Sequence, residues 1–143
     1  MADEVLEQLG SEPGVTVAIS TGTEHWRAGE ITLRVHGGGA VEVEQRRSGE
    51  HSEYTATLGA DELRALGVEL ARNGFTTLAP DRTSSRPDEH SVTLELRRGD
   101  DVLHREQLPQ GDDRLDGILA AYRRVVEQVT GGALPYGAAA APR

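Results

Sequence analysis

The chain of 143 residues has no cysteine and no lysine, a single phenylalanine, a single tryptophan and three tyrosines. Without cysteine there can be no disulfide, no thiolate nucleophile and no cysteine-ligated zinc. Without lysine there is neither a Schiff-base amine nor the lysine of a Walker phosphate loop. All 15 basic residues are arginine, and asparagine occurs only at Asn73. Lysine, asparagine and phenylalanine codons are AT-rich, so this composition, with its plentiful alanine and glycine, reads as that of a GC-rich bacterial genome. No apolar run reaches the roughly 18 residues of a membrane span. The acidic start MADEVLEQLG lacks the basic and apolar regions of a secretory leader, so a cytoplasmic protein is expected. A formal charge of −9 and so few aromatics argue against nucleic acid, whose binding rests on phosphate neutralisation and base stacking. The expected partner is another protein.

What is present is patterning. Residues 15–20, 31–35, 41–45, 54–58 and 92–96 alternate apolar and polar, the period of a strand with one buried face. Leu63, Leu66 and Leu70 recur at helical spacing within 60–72. So do Leu115, Ile118, Leu119, Tyr122, Val125, Val126 and Val129 within 113–129. Asp112 or Asp113 suits the start of the second helix, and RNGF at 72–75 ends the first with Gly74 free to turn left-handed. The expected fold is α+β: an antiparallel sheet of five to six strands with two helices packed on one face, in the order β-β-β-β-α-β-β-α. One domain covers 15–130. An acidic N-terminal segment, 1–14, adds a short helix, and 131–143 reads as a flexible C-terminal tail.

RVHGGGAVEV, at 34–43, resembles a phosphate-binding glycine loop only superficially. Both the P-loop and the dinucleotide fingerprint require a helix after the glycines, and here a strand follows. A three-residue loop, Gly37–Gly39, sets Val35 opposite Val41 and Leu33 opposite Val43. It leaves Arg34–Glu42 and Thr32–Glu44 on the other side, whereas a two-residue loop scrambles the faces. The same reasoning places a turn at Gly49-Glu50, pairing Val43 with Ala56, Val41 with Leu58 and Arg46 with Glu53. A turn at Gly99-Asp100 pairs Leu96 with Leu103 and Glu95 with His104. Beyond it Arg105 and Gln107 would point inward, so the last strand is expected to be a short edge strand that peels away or carries a bulge.

Candidate chemistry is sparse. None of His25, His36, His51, His90 and His104 forms a helical i, i+4 ligand pair, and the GDD and GDDRLD clusters lack calcium-loop spacing. No metal and no cofactor are expected. In SRPDEHS, 85–91, Asp88, Glu89 and His90 are adjacent on an extended chain and point apart. No catalytic residue is assigned, and the chain is expected not to be an enzyme. The sheet face opposite the core collects Thr16, Ser20, Thr32, Arg34, Glu42, Glu44, Arg46, Glu53, Thr55, Thr57, Thr93, Glu95 and Arg97. Trp26 stands outside every alternating run. Tryptophan and arginine are enriched at binding hot spots, so Trp26, Arg34, Arg46 and Arg97 are the candidate partner-binding residues.

A first strand running into GGGA, a mid-chain helix ending in NGF, then PDEHSVTLEL and a closing amphipathic helix together resemble emfourin-like small inhibitors of thermolysin-type metalloproteases, over about residues 31–126. The element order is also similar to that of the acidic secretion chaperones. Both resemblances imply a protein that acts by binding another protein. The expected function is a cytosolic, non-enzymatic protein-binding module: an inhibitor, immunity protein, chaperone or adaptor. The alternatives are a small-ligand domain with a pocket between helices and sheet, and an enzyme using His and carboxylate residues of the loops.

Overall fold

The computed structural model describes residues 2–22, 29–47, 50–78, 91–109 and 113–131. Its elements are α1 (Ala2–Leu6), β1 (Val15–Thr21), β2 (Glu30–His36), β3 (Ala40–Arg47), β4 (Glu50–Thr57), α2 (Ala60–Arg72), β5 (Ser91–Arg98) and β6 (Asp101–Pro109), followed by a 3₁₀ turn at Asp113–Leu115 that leads into α3 (Asp116–Thr130). The six strands form one sheet in the order β4-β3-β2-β1-β5-β6, with every neighbouring pair antiparallel. The class is α+β. The first four strands form a meander, and the β5–β6 hairpin joins the free side of β1, which becomes a central strand.

The alternation foreseen in the strands is the alternation of burial. Val15, Val17 and Ile19 of β1, Ile31, Leu33 and Val35 of β2, and Val92, Leu94 and Leu96 of β5 are all buried. They share one apolar core with Leu63, Leu66 and Leu70 of α2 and with Ile118, Leu119, Tyr122, Val125 and Val126 of α3. The deepest tie between layers is polar. Tyr122 is fully buried, and its Oη donates to the Ile31 carbonyl at 2.8 Å and lies 2.9 Å from Thr21 Oγ1. A buried hydroxyl with both bonds made carries no desolvation penalty and fixes where α3 sits along β2. At the far side of α3, Arg124 grips Glu69 of α2 with both terminal nitrogens, at 2.6 and 3.3 Å.

The short helix expected within 1–14 is present as α1, and it belongs to the body rather than lying outside it. Val5, Leu6 and Leu9 lie in the core. The following segment is pinned to the β2–β3 loop by Gly10 N–H to the Gly37 carbonyl, 3.1 Å, and Gly37 N–H to the Val15 carbonyl, 2.7 Å. This contact explains one glycine of the triplet. A Cβ on Gly37 would fall 1.8 Å from the Glu12 carbonyl oxygen, so no side chain fits there. Gly39 is required for a different reason, its φ of 117°. The sequence pattern showed the turn but not the N-terminal segment that packs on it. Tail residues 132–143 and the loop at 23–28, which holds Trp26 and His25, lie outside the described residues, as do Ser85 to His90.

Two hairpin registers depart from the reading in instructive ways. β2–β3 pairs as expected, with Leu33 opposite Val43 and Val35 opposite Val41. In β3–β4, however, Arg47 pairs with Glu50, Val43 with Tyr54, Val41 with Ala56 and Arg46 with His51. The ladder therefore runs on to Arg47 and Glu50, and every partner shifts by two from the expected register. A two-residue shift keeps each side chain on its own face, so the hydrophobic pattern does not detect it. In β5–β6 the turn falls at Gly99-Asp100, with Arg98 opposite Asp101, but a bulge follows, because Arg97 pairs with Val102 and Leu96 with His104. Leu103 is the extra residue. Its insertion returns Arg105 and Gln107 to the polar face, opposite Glu95 and Thr93, and brings Leu108 against Val92. β6 is thereby a full strand of nine residues, not a short one. The shift also tucks His104 beside Phe75, with ring centroids 6.2 Å apart. His104 Nε2 is left buried without a hydrogen-bond partner among the described residues.

Candidate interaction surface

The sheet face away from the core is built from alternate residues of all six strands. Its middle is low. β1 contributes Thr16, Ala18 and Ser20 there, with Thr32 opposite Ser20 on β2 and Thr93 opposite it on β5. Ser20 and Thr32 hydroxyls bond at 3.0 Å. Longer charged side chains rise on both sides, and each side forms its own network.

On the β2–β4 side the hub is Glu44, whose side chain is only 15% exposed. Its carboxylate accepts from His51 Nε2 at 2.8 Å, and Arg46 Nε and Arg34 NH2 lie 3.6 and 3.9 Å away. The His51 bond, reinforced by the two guanidinium charges and opposed by partial burial, holds the Glu44 carboxyl below its ordinary value. Glu53, directly opposite Glu44 on β4, is 65% exposed and among the described residues reaches only the same His51 nitrogen, at 3.6 Å. Across β1 the second network is smaller: Glu95 receives Arg97 Nε at 2.6 Å and Arg105 Nε at 3.6 Å.

The structure thus brings Arg34 and Arg46 together on one carboxylate and sets Arg97 apart, beyond the small residues of β1. Trp26 lies outside the described residues. Glu44 as a hub, His51 and Arg105 were not singled out from the sequence. Arg34 had been paired with Glu42 and Arg46 with Glu53. The register does put Arg34 opposite Glu42, but the ion pair runs diagonally to Glu44, and Glu42 is held by His36 Nε2 at 2.7 Å. Arg46 turns along its own strand because the β3–β4 shift puts His51, not Glu53, across from it.

Three arrangements, two on this face and one on the helical side, have the residue types of other chemistries. Glu44, His51 and Glu53 hold ligand atoms within 4.8 Å of one another. The charge of Glu44 is already answered by Arg34 and Arg46, which would repel a metal ion from the Glu44 oxygens that such a site needs. Thr16 Oγ1 lies 3.1 Å from His36 Nδ1, and His36 Nε2 lies 2.7 Å from Glu42 Oε1. That is the order of a hydroxyl, a base and an orienting acid. It sits on the open surface of a paired sheet, whose ladder occupies the backbone N–H groups that would have to converge as an oxyanion hole. Along α2 a depression of about 590 Å³ is lined by Asp61, Arg64, Ala65, Val68, Glu69, Arg72 and Asn73. It is bounded by that helix and its C-terminal cap rather than placed between helices and sheet, and so lacks the enclosing walls of a small-molecule site.

Among the described residues no helix is long and apolar enough to cross a membrane. The sequence matches no protein-family model and, at a significant level, no curated protein.

Proposed function

We propose that this chain is a non-enzymatic, cytoplasmic protein-binding module, an inhibitor, immunity protein, chaperone or adaptor. In this reading α2 and α3 together cover one sheet face, and the opposite face docks a partner. One observation carries it: oriented arginine–carboxylate networks flank a central strand of small side chains. The small residues let a partner's side chains approach the sheet closely. Arg34, Arg46 and Arg97 present planar, forked donors held in place by Glu44 and Glu95. The net charge of −9 favours a neutral or basic protein partner over nucleic acid.

The test is affinity capture from the source cell with the full chain, run in parallel with Arg34→Ala and Arg97→Ala. A protein retained by the parent chain and lost by either variant supports the reading. Equal retention by all three refutes the role of this face and moves attention to the Trp26 loop. Hydrolysis of an activated ester above the buffer rate, abolished by His36→Ala, would replace the binding reading with an enzymatic one.

A further inference from the structure

The two ends of the sheet are not alike. β6 is an edge strand with two built-in obstacles to further pairing, the bulge at Leu103 and a terminal proline, Pro109. β4 has neither. It runs eight residues, Glu50–Thr57, without bulge or proline and without a basic residue, and no described strand pairs with its outer side. Its polarity can be assigned. Leu58 N–H donates to the Gly39 carbonyl at 2.9 Å, so the even-numbered residues direct their backbone groups toward β3. Successive residues alternate, and His51, Glu53, Thr55 and Thr57 therefore turn N–H and C=O to the free edge.

The charge along that edge is also unbalanced. Glu44 and Glu53 sit opposite each other in a pair of the non-hydrogen-bonded type, the closer of the two, where like charges destabilise. The guanidinium groups are drawn to Glu44. Among the described residues Glu53 has only the shared His51 nitrogen. A cation is wanted beside Glu53, on the side where the next strand would lie.

We propose that β4 is an acceptor for strand addition, and that its occupant is an extended basic segment of a partner protein. The segment pairs its backbone with His51, Glu53, Thr55 and Thr57 and places an arginine or lysine beside Glu53. Its alternate side chains fall on the other face next to Tyr54, which is partly buried against the core. A second copy of this chain fits less well, since its own β4 brings no basic residue and each copy carries −9. The proposal deepens the protein-binding reading and rests on it, specifying a docking mode and the chemistry of the partner.

The experiment selects a random dodecapeptide library against the full chain and follows backbone amide exchange on adding an enriched peptide. Expected are proline-poor peptides with Arg or Lys alternating at i, i+2. Slowed exchange should appear at His51, Glu53, Thr55 and Thr57 and not at Ser52, Tyr54 or Ala56. Thr55→Pro removes one edge donor at a position where an edge strand tolerates proline. It should weaken the peptide at least tenfold, as should Glu53→Arg, whereas Arg64→Ala on α2 should leave it unchanged. Acidic peptides, unaltered exchange along β4, or full binding to both β4 variants would overturn the proposal. Protection of the same four amides without peptide, rising with protein concentration, would assign the edge to a second copy and overturn it too. Because this readout is confined to β4, its failure leaves the arginine test of the sheet face standing, and failure of that test leaves the peptide result readable.

Discussion

The two faces of the sheet use the same strands for opposite purposes. On the core face the buried strand residues are apolar apart from Thr21 and Gln45, and Tyr122 closes the layer with two hydrogen bonds. On the polar face the charges are many, but the contacts are looser. Arg34 is 42% and Arg46 52% exposed, and they approach Glu44 at 3.9 and 3.6 Å. Burial scales with area and is insensitive to small displacements, whereas an exposed ion pair is weakened by water, salt and side-chain entropy. The first face therefore holds the fold, and the second adds little to its stability.

Four substitutions, from the largest expected effect to the smallest, break or sharpen that contrast. Leu119→Ala on α3 removes a buried side chain, 5% exposed, and should destabilise by about 2–5 kcal/mol. A denaturation midpoint equal to the parent's would mean that α3 is not held by the core. Tyr122→Phe keeps the ring but strips the hydroxyl from the Ile31 carbonyl and Thr21. It should lower stability by about 1–2 kcal/mol, and an unchanged unfolding curve would show the hydroxyl to be energetically idle.

Glu44→Gln is the largest change expected on the polar face, about 1 kcal/mol at neutral pH. It also has a pH signature. The folded-state pKa of Glu44 lies below its ordinary value of 4.5, so its contribution is complete above that value and is lost as pH falls through the lowered one. The parent should lose stability on acidification more steeply than the variant, measured as unfolding midpoints from neutral pH to below 4.5. Parallel curves would remove Glu44 as the hub. Smallest is Arg97→Ala, expected to cost less than about 1 kcal/mol in folding while weakening a partner that docks on the face by about 1–2 kcal/mol. Collapse of stability in this variant would mean that the face is itself buried in an assembly.

Much of the fold was legible, and the misses share a cause. The β2–β3 register followed from the sequence because only a three-residue loop at Gly37–Gly39 keeps Leu33 and Val35 on the side of Val41 and Val43. The β3–β4 register did not follow, since the expected pairing of Val43 with Ala56 and the observed pairing of Val43 with Tyr54 leave every residue on the same face and differ only in which partners meet. The bulge in β6 was half legible: Arg105 and Gln107 pointing inward signalled a fault in the ladder, while its place at Leu103 depended on the packing of Leu108 and His104. For the surface, the outward direction of Arg34, Arg46 and Arg97 followed from alternation, whereas Glu44 as their meeting point depended on diagonal contacts that no period encodes.

The sequence by itself determined which residues of β1 to β5 face the core and which face away, where the glycines of the β2–β3 and β5–β6 turns lie, and what chemistries the absence of cysteine and lysine forbids. These are local properties, set by the two-residue period of a strand, the 3.6-residue period of a helix and the atoms a side chain carries. Only the tertiary structure decided that the N-terminal helix joins the core, that β1 lies at the centre, that Glu44 gathers its cations and that β4 is an edge of the described sheet. Each of these depends on contacts between residues far apart in the chain, made by whichever packing buries the most apolar surface with its polar groups satisfied, and that choice is taken by the whole molecule at once.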